Sequence, residues 1–407
     1  MDSVKIEVKN LTKVFGKNVN DALELSKKNK SKDEIMKKTK STVAVNNVNF
    51  SIYEGEIFVI MGLSGSGKST LIRLFNRLIE PTAGSIILDG QDISKLAKKD
   101  LLEVRRHKMS MVFQNFALFP HRTILDNTSY GLEIRGIDLP ERNTIAEKAL
   151  EQAGLLAYKD QYPHQLSGGM QQRVGLARAL ANDPEILLMD ESFSALDPLI
   201  RRDMQDELME LQDKVKKTIV FITHDLNEAL KIGDRIAIMK DGEIIQIGTG
   251  EDILTNPAND YVCRFVEGVD RTRILSVEHI MSRPHAIINT NKAGIHTAMN
   301  QMLHNDNSYL LLTNSQHEFL GYIIDKDTAL VIKRKGVAAS YQDVVKKNLY
   351  TVSFDTPIPK VYKYLLSQEL PVVVLEGKKI RGIITRRSII ELLSAVNAPA
   401  ISEVEAV

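Results

Sequence analysis

Apolar residues recur at every second position at the start of the chain (Val4, Ile6, Val8), a period of two that predicts a strand within the first 15 residues. The pattern then breaks. Residues 17–40 are polar and lysine-rich around "KKNKSKDEIMKKTK", whose seven lysines are partly balanced by Asp21, Glu24, Asp33 and Glu34, so a solvated helical insert is expected. From 42 to about 250, short apolar runs alternate with helical spacing. "EIFVIM" (56–61), "MVFQ" (111–114), "EILLMD" (185–190) and "TIVFITH" (218–224) have the length of buried strands, whereas 124–183 carries only helical patterns and reads as an inserted helical subdomain. This alternation predicts an α/β fold: a mostly parallel sheet wrapped by helices.

Beyond residue 250 the rhythm changes. Residues 251–274 ("TNPANDYV", "EGVDRTR") lose the alternation and are expected to form a linker. Residues 279–330 and 343–390 then repeat one order: short helix, strand, helix, apolar strand, and a strand led by Gly321 or Gly382 at equivalent turns, with "SYLLLT" matching "LPVVVLE". Two units of about 60 residues suggest paired small domains that bury a face on each other. The expected organisation is a domain at 1–250, the linker, and small domains at 275–335 and 336–397.

Composition narrows the function classes. With 407 residues, 43% hydrophobic and 26% charged, the chain can bury real cores in two or three domains. A net charge of +1, from 53 basic and 52 acidic residues, gives no global field for nucleic acid, and none is expected as a partner. The single cysteine, Cys263, forms no internal disulfide and is read as a packing residue in a reducing cytoplasm. No run approaches the roughly 18 apolar residues of a spanning helix, and "MDSVKIEVKN" has no signal-peptide core, so work at a membrane would go through a partner.

The chemistry begins at "GLSGSGKST" (62–70), between an apolar strand and the helical spacing of Leu71, Ile72, Leu74 and Phe75. Gly62, Gly65 and Gly67 let backbone amides turn around an anion, the helix N-terminus adds partial positive charge, Lys68 reaches the outer phosphates and Ser69 can ligate Mg²⁺. A nucleoside triphosphate is implied, which by itself suits a kinase, a GTPase or a transporter motor. "ILLMDES" is an apolar strand ending in two acids: Asp190 is placed to hold Mg²⁺, and Glu191 to polarise a water at the γ-phosphate. In "QLSGGMQQRVGLARAL" (165–180), Ser167, Gly168 and Gly169 head a second helix and form a second phosphate-reading surface. Two such surfaces far apart in one chain suggest that two copies meet head to tail, each completing the other's pocket.

"GLSGSGKST", "LSGGMQQR", "LLMDESFSALD" and "ITHD", in this order and spacing, resemble the ATPase subunits of ABC transporters. The resemblance implies ATP and Mg²⁺ as cofactors, with Ser64, Ser66 and Thr70 among the nucleotide-binding residues. It makes Gln114 the Q-loop residue that senses magnesium and the permease, Asp197 the residue crossing the dimer, His224 the switch histidine on the γ-phosphate, and Phe15 an aromatic that stacks on adenine. Lys68, Gln114, Glu191 and His224 are then the catalytic set, and Ser69, Gln114 and Asp190 the metal set. The insert, "VFQNFALFPHRTILDN", "YPHQLSGGMQQRVGLARALANDPEILLMDESFSALDPLIR" and the C-terminal repeat narrow the resemblance to the ATPases of quaternary-amine importers, the OpuA and ProV type. That implies a homodimer on the cytoplasmic face of the membrane, an integral-membrane permease, a substrate-binding protein or domain, and glycine betaine or a related osmoprotectant as cargo.

The repeat resembles a tandem pair of CBS domains. Nucleotide-binding CBS domains commonly place Thr or Ser, then Asp three residues later, after the Gly-led strand; here the first copy has Ile324 and Asp327 and the second Thr385 and Ser388, half a ribose site each. Packing without a ligand is the expectation, beside a cyclic dinucleotide between the copies or anionic lipid against Lys333, Arg334, Lys335, Lys378, Lys379, Arg381, Arg386 and Arg387. Two rivals stand against the motor: a soluble ABC ATPase of translation or repair, and a regulatory binding protein whose business end is the repeat.

Overall fold

A computed structural model describes residues 3–397 except 29, 115, 195 and 268–274. Its contacts divide into two units, Met1–Val266 and Glu267–Val407. The first begins with β1 (Val4–Phe15), α1 (Val19–Lys27), α2 (Lys32–Thr39), β2 (Thr42–Tyr53), β3 (Ile57–Met61), α3 (Lys68–Phe75), β4 (Ala83–Leu88), β5 (Gln91–Asp92) and α4 (Lys98–His107). It continues through β6 (Met109–Val112), α5 (Ile124–Ile134), α6 (Leu139–Gln152), α7 (Gly168–Ala181), β7 (Ile186–Asp190), α8 (Pro198–Val215) and β8 (Thr218–Thr223). It closes with α9 (Leu226–Ile232), β9 (Arg235–Lys240), β10 (Glu243–Gly248), α10 (Gly250–Thr255) and α11 (Asp260–Val266).

Six strands form one sheet in the order β10-β9-β3-β8-β7-β6. From β9 to β6 every pairing is parallel. Strands β3, β7 and β8 are buried at every position, which is why their sequences are continuously apolar instead of alternating. Two features lie outside the expected parallel sheet: β10 is antiparallel to β9, and β2-β1-β4-β5 make a separate antiparallel sheet. Both sheets feed one core, where Phe50 of β2 stacks on Phe58 of β3 at 5.1 Å between ring centroids. Between β6 and β7 the described residues hold helices and helical turns but no strand, as the periodicity predicts, and these have their own core of Ile124, Leu132, Leu150, Leu166 and Val174.

The lysine-rich insert is tied down more firmly than its polarity suggests. Phe15 and Thr42 pair across β1 and β2, so residues 16–41 are the long connection at the turn end of a hairpin. Ala22 and Ile35 are buried with Val14 and Val43 in a small core. The insert is therefore helical with a solvated face, as expected, but its other face is docked: a few apolar side chains at helical spacing suffice to anchor it. The expected linker also differs, since α10 and α11 belong to the first unit and bury Ile253, Leu254, Val262 and Val266. Cys263 sits on α11, half-buried.

The second unit comprises β11 (Ile287–Asn289), α12 (Ile295–His304), β12 (Tyr309–Thr313), β13 (Phe319–Ile324) and α13 (Asp325–Lys335), then β14 (Thr351–Ser353), α14 (Tyr362–Ser367), β15 (Val372–Glu376), β16 (Lys379–Ile384) and α15 (Arg386–Asn397). Each copy builds a three-stranded sheet with one parallel and one antiparallel pairing. The leading segments are exchanged: Val277, Ile280 and Met281 pack into the second copy's core, and Tyr341, Val344 and Val345 into the first. A third cluster, with Leu311, Tyr322, Leu349, Val373 and Ile383, joins the two sheets. Gly321 and Gly382 lie inside β13 and β16, not at turns. A Cβ on Gly321 would stand 2.4 Å from the Lys346 carbonyl, and one on Gly382 2.9 Å from the Met281 side chain. The glycines are matched because each admits the segment crossing from the other copy.

Candidate nucleotide site

Strand β3 is buried between β9 and β8, and ligands in such sheets gather beyond the strands' carboxyl ends. There the chain turns through Gly62, Gly65 and Gly67 into α3. Gly67 holds φ at 107° and caps the helix; a Cβ on it would lie 2.2 Å from the Ala44 carbonyl of β2, so only glycine fits. Around Gly65, with φ at 81°, no atom lies within 4 Å of where a Cβ would stand, leaving its face open to an anion. Lys68 is 4% exposed, and its Nζ donates to the carbonyls of Gly62 at 2.9 Å and Leu63 at 3.1 Å. Burial lowers its pKa, partly offset by Glu191 and Asp190.

Glu191, one residue past β7, holds φ at 46°, a left-handed conformation that costs a non-glycine residue about 1–3 kcal/mol. Its carboxylate is where the predicted catalytic side chains meet. Gln114 Nε2 donates to Oε2 at 3.1 Å, Lys68 Nζ lies 3.8 Å from Oε1, and His224 Nδ1 lies 3.9 Å from Oε2. Asp190 ends the strand, 1% exposed; Arg73 Nη2 donates to its Oδ2 at 3.1 Å, while Oδ1 is buried without a hydrogen-bond partner. An orphaned carboxylate oxygen one residue before Glu191 of the cleft suits a magnesium ion, which takes one or two carboxylates and completes its shell with hydroxyl, water and phosphate oxygens. Asp190, Ser69 and Gln114 would hold the ion, which would neutralise phosphate charge when bound.

Thr42, Ala44, Ser64, Gly65, Gly67, Lys68, Ser69, Thr70, Gln114 and Glu191 line one cleft of about 380 Å³, together with Lys32 of the insert. Ser66 is buried, with its Oγ unpartnered. Phe15 is 43% exposed, with Lys13 Nζ 4.9 Å from its ring centroid, and is paired across the hairpin with Thr42 of the cleft wall. Ser167 caps α7, accepting from Met170 N, and Asp197 caps α8, accepting from Leu199 N and Ile200 N. Neither Ser167, Gly168, Gly169, Asp197 nor His224 lines the cleft formed by the loop after β3. Sequence spacing did not reveal Arg73, Lys32, Thr42 or Ala44. It also missed Arg178, whose guanidinium leaves α7 and donates to the carbonyls of Ala117 at 2.6 Å and Phe116 at 3.0 Å. That arginine straps the segment after Gln114 to the helix headed by Ser167.

Comparison with known proteins settles the family. The chain is 52% identical to the glycine betaine/carnitine transport ATP-binding protein GbuA of Listeria monocytogenes serotype 1/2a (strain 10403S), over 96% of this chain and 98% of that protein. It is 52% identical to the glycine betaine transport ATP-binding protein OpuAA of Bacillus subtilis (strain 168), over 97% of this chain and 93% of that protein. Residues 45–194 match the ABC transporter family. The chain belongs to the ATP-binding proteins of ABC transporters. Its ATPase unit is also similar to a solved cassette, MJ0796, in a dimeric post-hydrolysis state bound to ADP and phosphate: 35% identity, TM-score 0.52, covering 60% of this chain and 98% of that one.

This ABC protein carries a CBS domain match at residues 342–395. There Thr385 and Ser388 cap each other, with Ser388 N donating to Thr385 Oγ1 and Thr385 N to Ser388 Oγ, while Asp327 pairs with Lys346 at 2.5 Å. Several of the basic groups are likewise engaged: Lys335 with Asp343, Arg381 with Glu376 and Arg387 with Glu391. Among the described residues no helix is long and apolar enough to cross a membrane.

Proposed function

We propose that two copies of this chain sandwich two ATP molecules and drive a separate permease that imports glycine betaine or a related quaternary amine. The observation that carries the catalytic reading is the convergence of Lys68, Gln114 and His224 on the Glu191 carboxylate. In this reading Lys68 and the loop amides hold the β- and γ-phosphates, and Asp190, Ser69 and Gln114 hold magnesium. Glu191 orients and deprotonates the attacking water, and His224 contacts the γ-phosphate. Ser167, Gly168 and Gly169, with Asp197, belong to the pocket of the opposite copy; the dimeric MJ0796 cassette supports that arrangement. Phe15 stacks on the adenine. Closure is slaved to ATP because the phosphates bridge two facing surfaces, and hydrolysis releases them.

The cargo never touches this subunit, and the named transport of glycine betaine and carnitine by GbuA and glycine betaine by OpuAA supports the assignment. The same reading puts the chain on the cytoplasmic face, attached through permease subunits that work with a substrate-binding protein; the transport named for these relatives supports it. The repeat pair is proposed as a regulatory module. The mutual capping of Thr385 and Ser388 and the local pairing of Asp327 support packing over nucleotide binding there; a cyclic dinucleotide or anionic lipid would have to use other groups. Uptake of labelled betaine, carnitine and proline by the reconstituted complex across a salt series is the test. ATP-dependent uptake of a quaternary amine, lost in Lys68→Ala, is expected; hydrolysis with no uptake of any of them overturns the assignment.

A further inference from the structure

The insert between β1 and β2 brings a second lysine to the nucleotide cleft. Its path is dictated by the hairpin: residues 16–41 leave and re-enter where Phe15 pairs with Thr42, and two residues on, the Ala44 carbonyl abuts Gly67. An excursion rooted there must lie beside the loop that precedes α3. Ile35, 2% exposed, pins α2 onto Val14 and Val43. Asn18 donates to the Ser41 hydroxyl and the Thr39 carbonyl across the base of the excursion. Ser31 caps α2 by accepting from Glu34 N, which sets Lys32 as the first residue of the helix. The Lys32 stem lies along the β9–β10 turn, its Cε 3.4 Å from where a Cβ on Gly242 would stand. That turn is itself clamped to the loop, with Gly242 N donating to the Ser66 carbonyl at 2.8 Å.

We infer that Lys32 is a nucleotide-binding residue, its ammonium contacting the phosphate chain of ATP alongside Lys68. Lys32 lines the same cleft as Gly65, Gly67, Lys68, Ser69 and Thr70. Asp241 and Glu243 act on its charge from nearby, but neither forms an ion pair with it among the described residues, so the ammonium has no fixed carboxylate partner. Partial burial lowers its pKa, with Asp241 and Glu243 opposing the shift; a cation already part-desolvated gives up less hydration when it meets a phosphate. The insert, on this account, is an extension of the nucleotide site.

The inference rests on the ATP-site reading above and is tested so that the two can fail separately. Full-length Lys32→Met, Lys32→Gln, Lys32→Arg and Lys68→Ala are compared with wild type for affinity toward ATP, ADP and adenosine, each also checked by thermal unfolding without nucleotide. Lys32→Met is expected to weaken ATP and ADP about tenfold, the scale of one charged hydrogen bond. Lys32→Arg should restore affinity to within about twofold and adenosine binding should not change. Lys32→Gln replaces Lys32→Met if the latter does not fold. Wild-type ATP affinity in the neutral variants, with binding lost in Lys68→Ala, overturns the role of Lys32 and leaves the site intact. An equal loss for adenosine overturns the phosphate contact. Unchanged binding in Lys68→Ala removes the site reading and this inference with it.

Discussion

Glu191 combines a strained backbone with a carboxylate that three catalytic candidates approach, and strain of that kind persists where the surroundings over-determine it. If Glu191 is the general base, Glu191→Gln should lower turnover by about 100- to 10,000-fold while ATP affinity stays within about twofold. Phosphate release and nucleotide titration on one preparation check this. Gly67→Ala should weaken nucleotide binding and cost at least the about 1–3 kcal/mol of a forced left-handed residue, because the Ala44 carbonyl leaves no room for a methyl group; denaturant unfolding measures it. At this scale the sequence is legible wherever backbone geometry demands a residue type. Gly67 and Lys68 announce themselves, whereas Arg73 and Lys32 do not, because spacing along the chain does not reveal which distant cation folds back onto a site.

Elements follow the same division. The apolar runs of β3, β7 and β8 are unmistakable because both faces are buried, and the loop after β3 and Glu191 after β7 line the cleft. The antiparallel sheet was harder to read, since β1 and β2 pair across an insert that interrupts the alternation. The insert's apolar anchors are few, and lysines outnumber them. Ile35→Ala should leave a cavity in its small core and raise hydrogen exchange through α1 and α2 while β3 stays protected. On α9, just after His224, Glu228 is 6% exposed and accepts from Gln205 Nε2 at 2.9 Å. Burial raises its pKa, and hydrogen bonds from Thr223 and Gln205 only partly offset this. Between its unfolded and its raised folded value the native state binds more protons, so this group's contribution to stability falls as pH rises. Glu228→Gln abolishes that titration and keeps an acceptor for Gln205. Its melting temperature should gain on wild type as pH increases from roughly 4 upward, where carboxylates ionise.

In the whole molecule, two repeats that look separable in sequence are joined through exchanged segments. Val277, from the first repeat's leading edge, is fully buried in the second repeat's core. A repeat read from sequence marks which residues correspond, not which copy they pack into. Val277→Asp should therefore strip exchange protection from β14, β15 and β16, which its side chain packs against although they begin more than 70 residues later in sequence, before it affects β12. The ATPase unit poses the larger question of assembly, because the proposed function makes both the cleft at Lys68 and the helix cap at Ser167 phosphate-reading surfaces on one chain. Sedimentation of full-length Glu191→Gln with ATP and magnesium tests this most directly. The account predicts a particle of two chains that holds nucleotide and separates when Ser167 is replaced by arginine; a single chain at every concentration, with ATP bound, would contradict it.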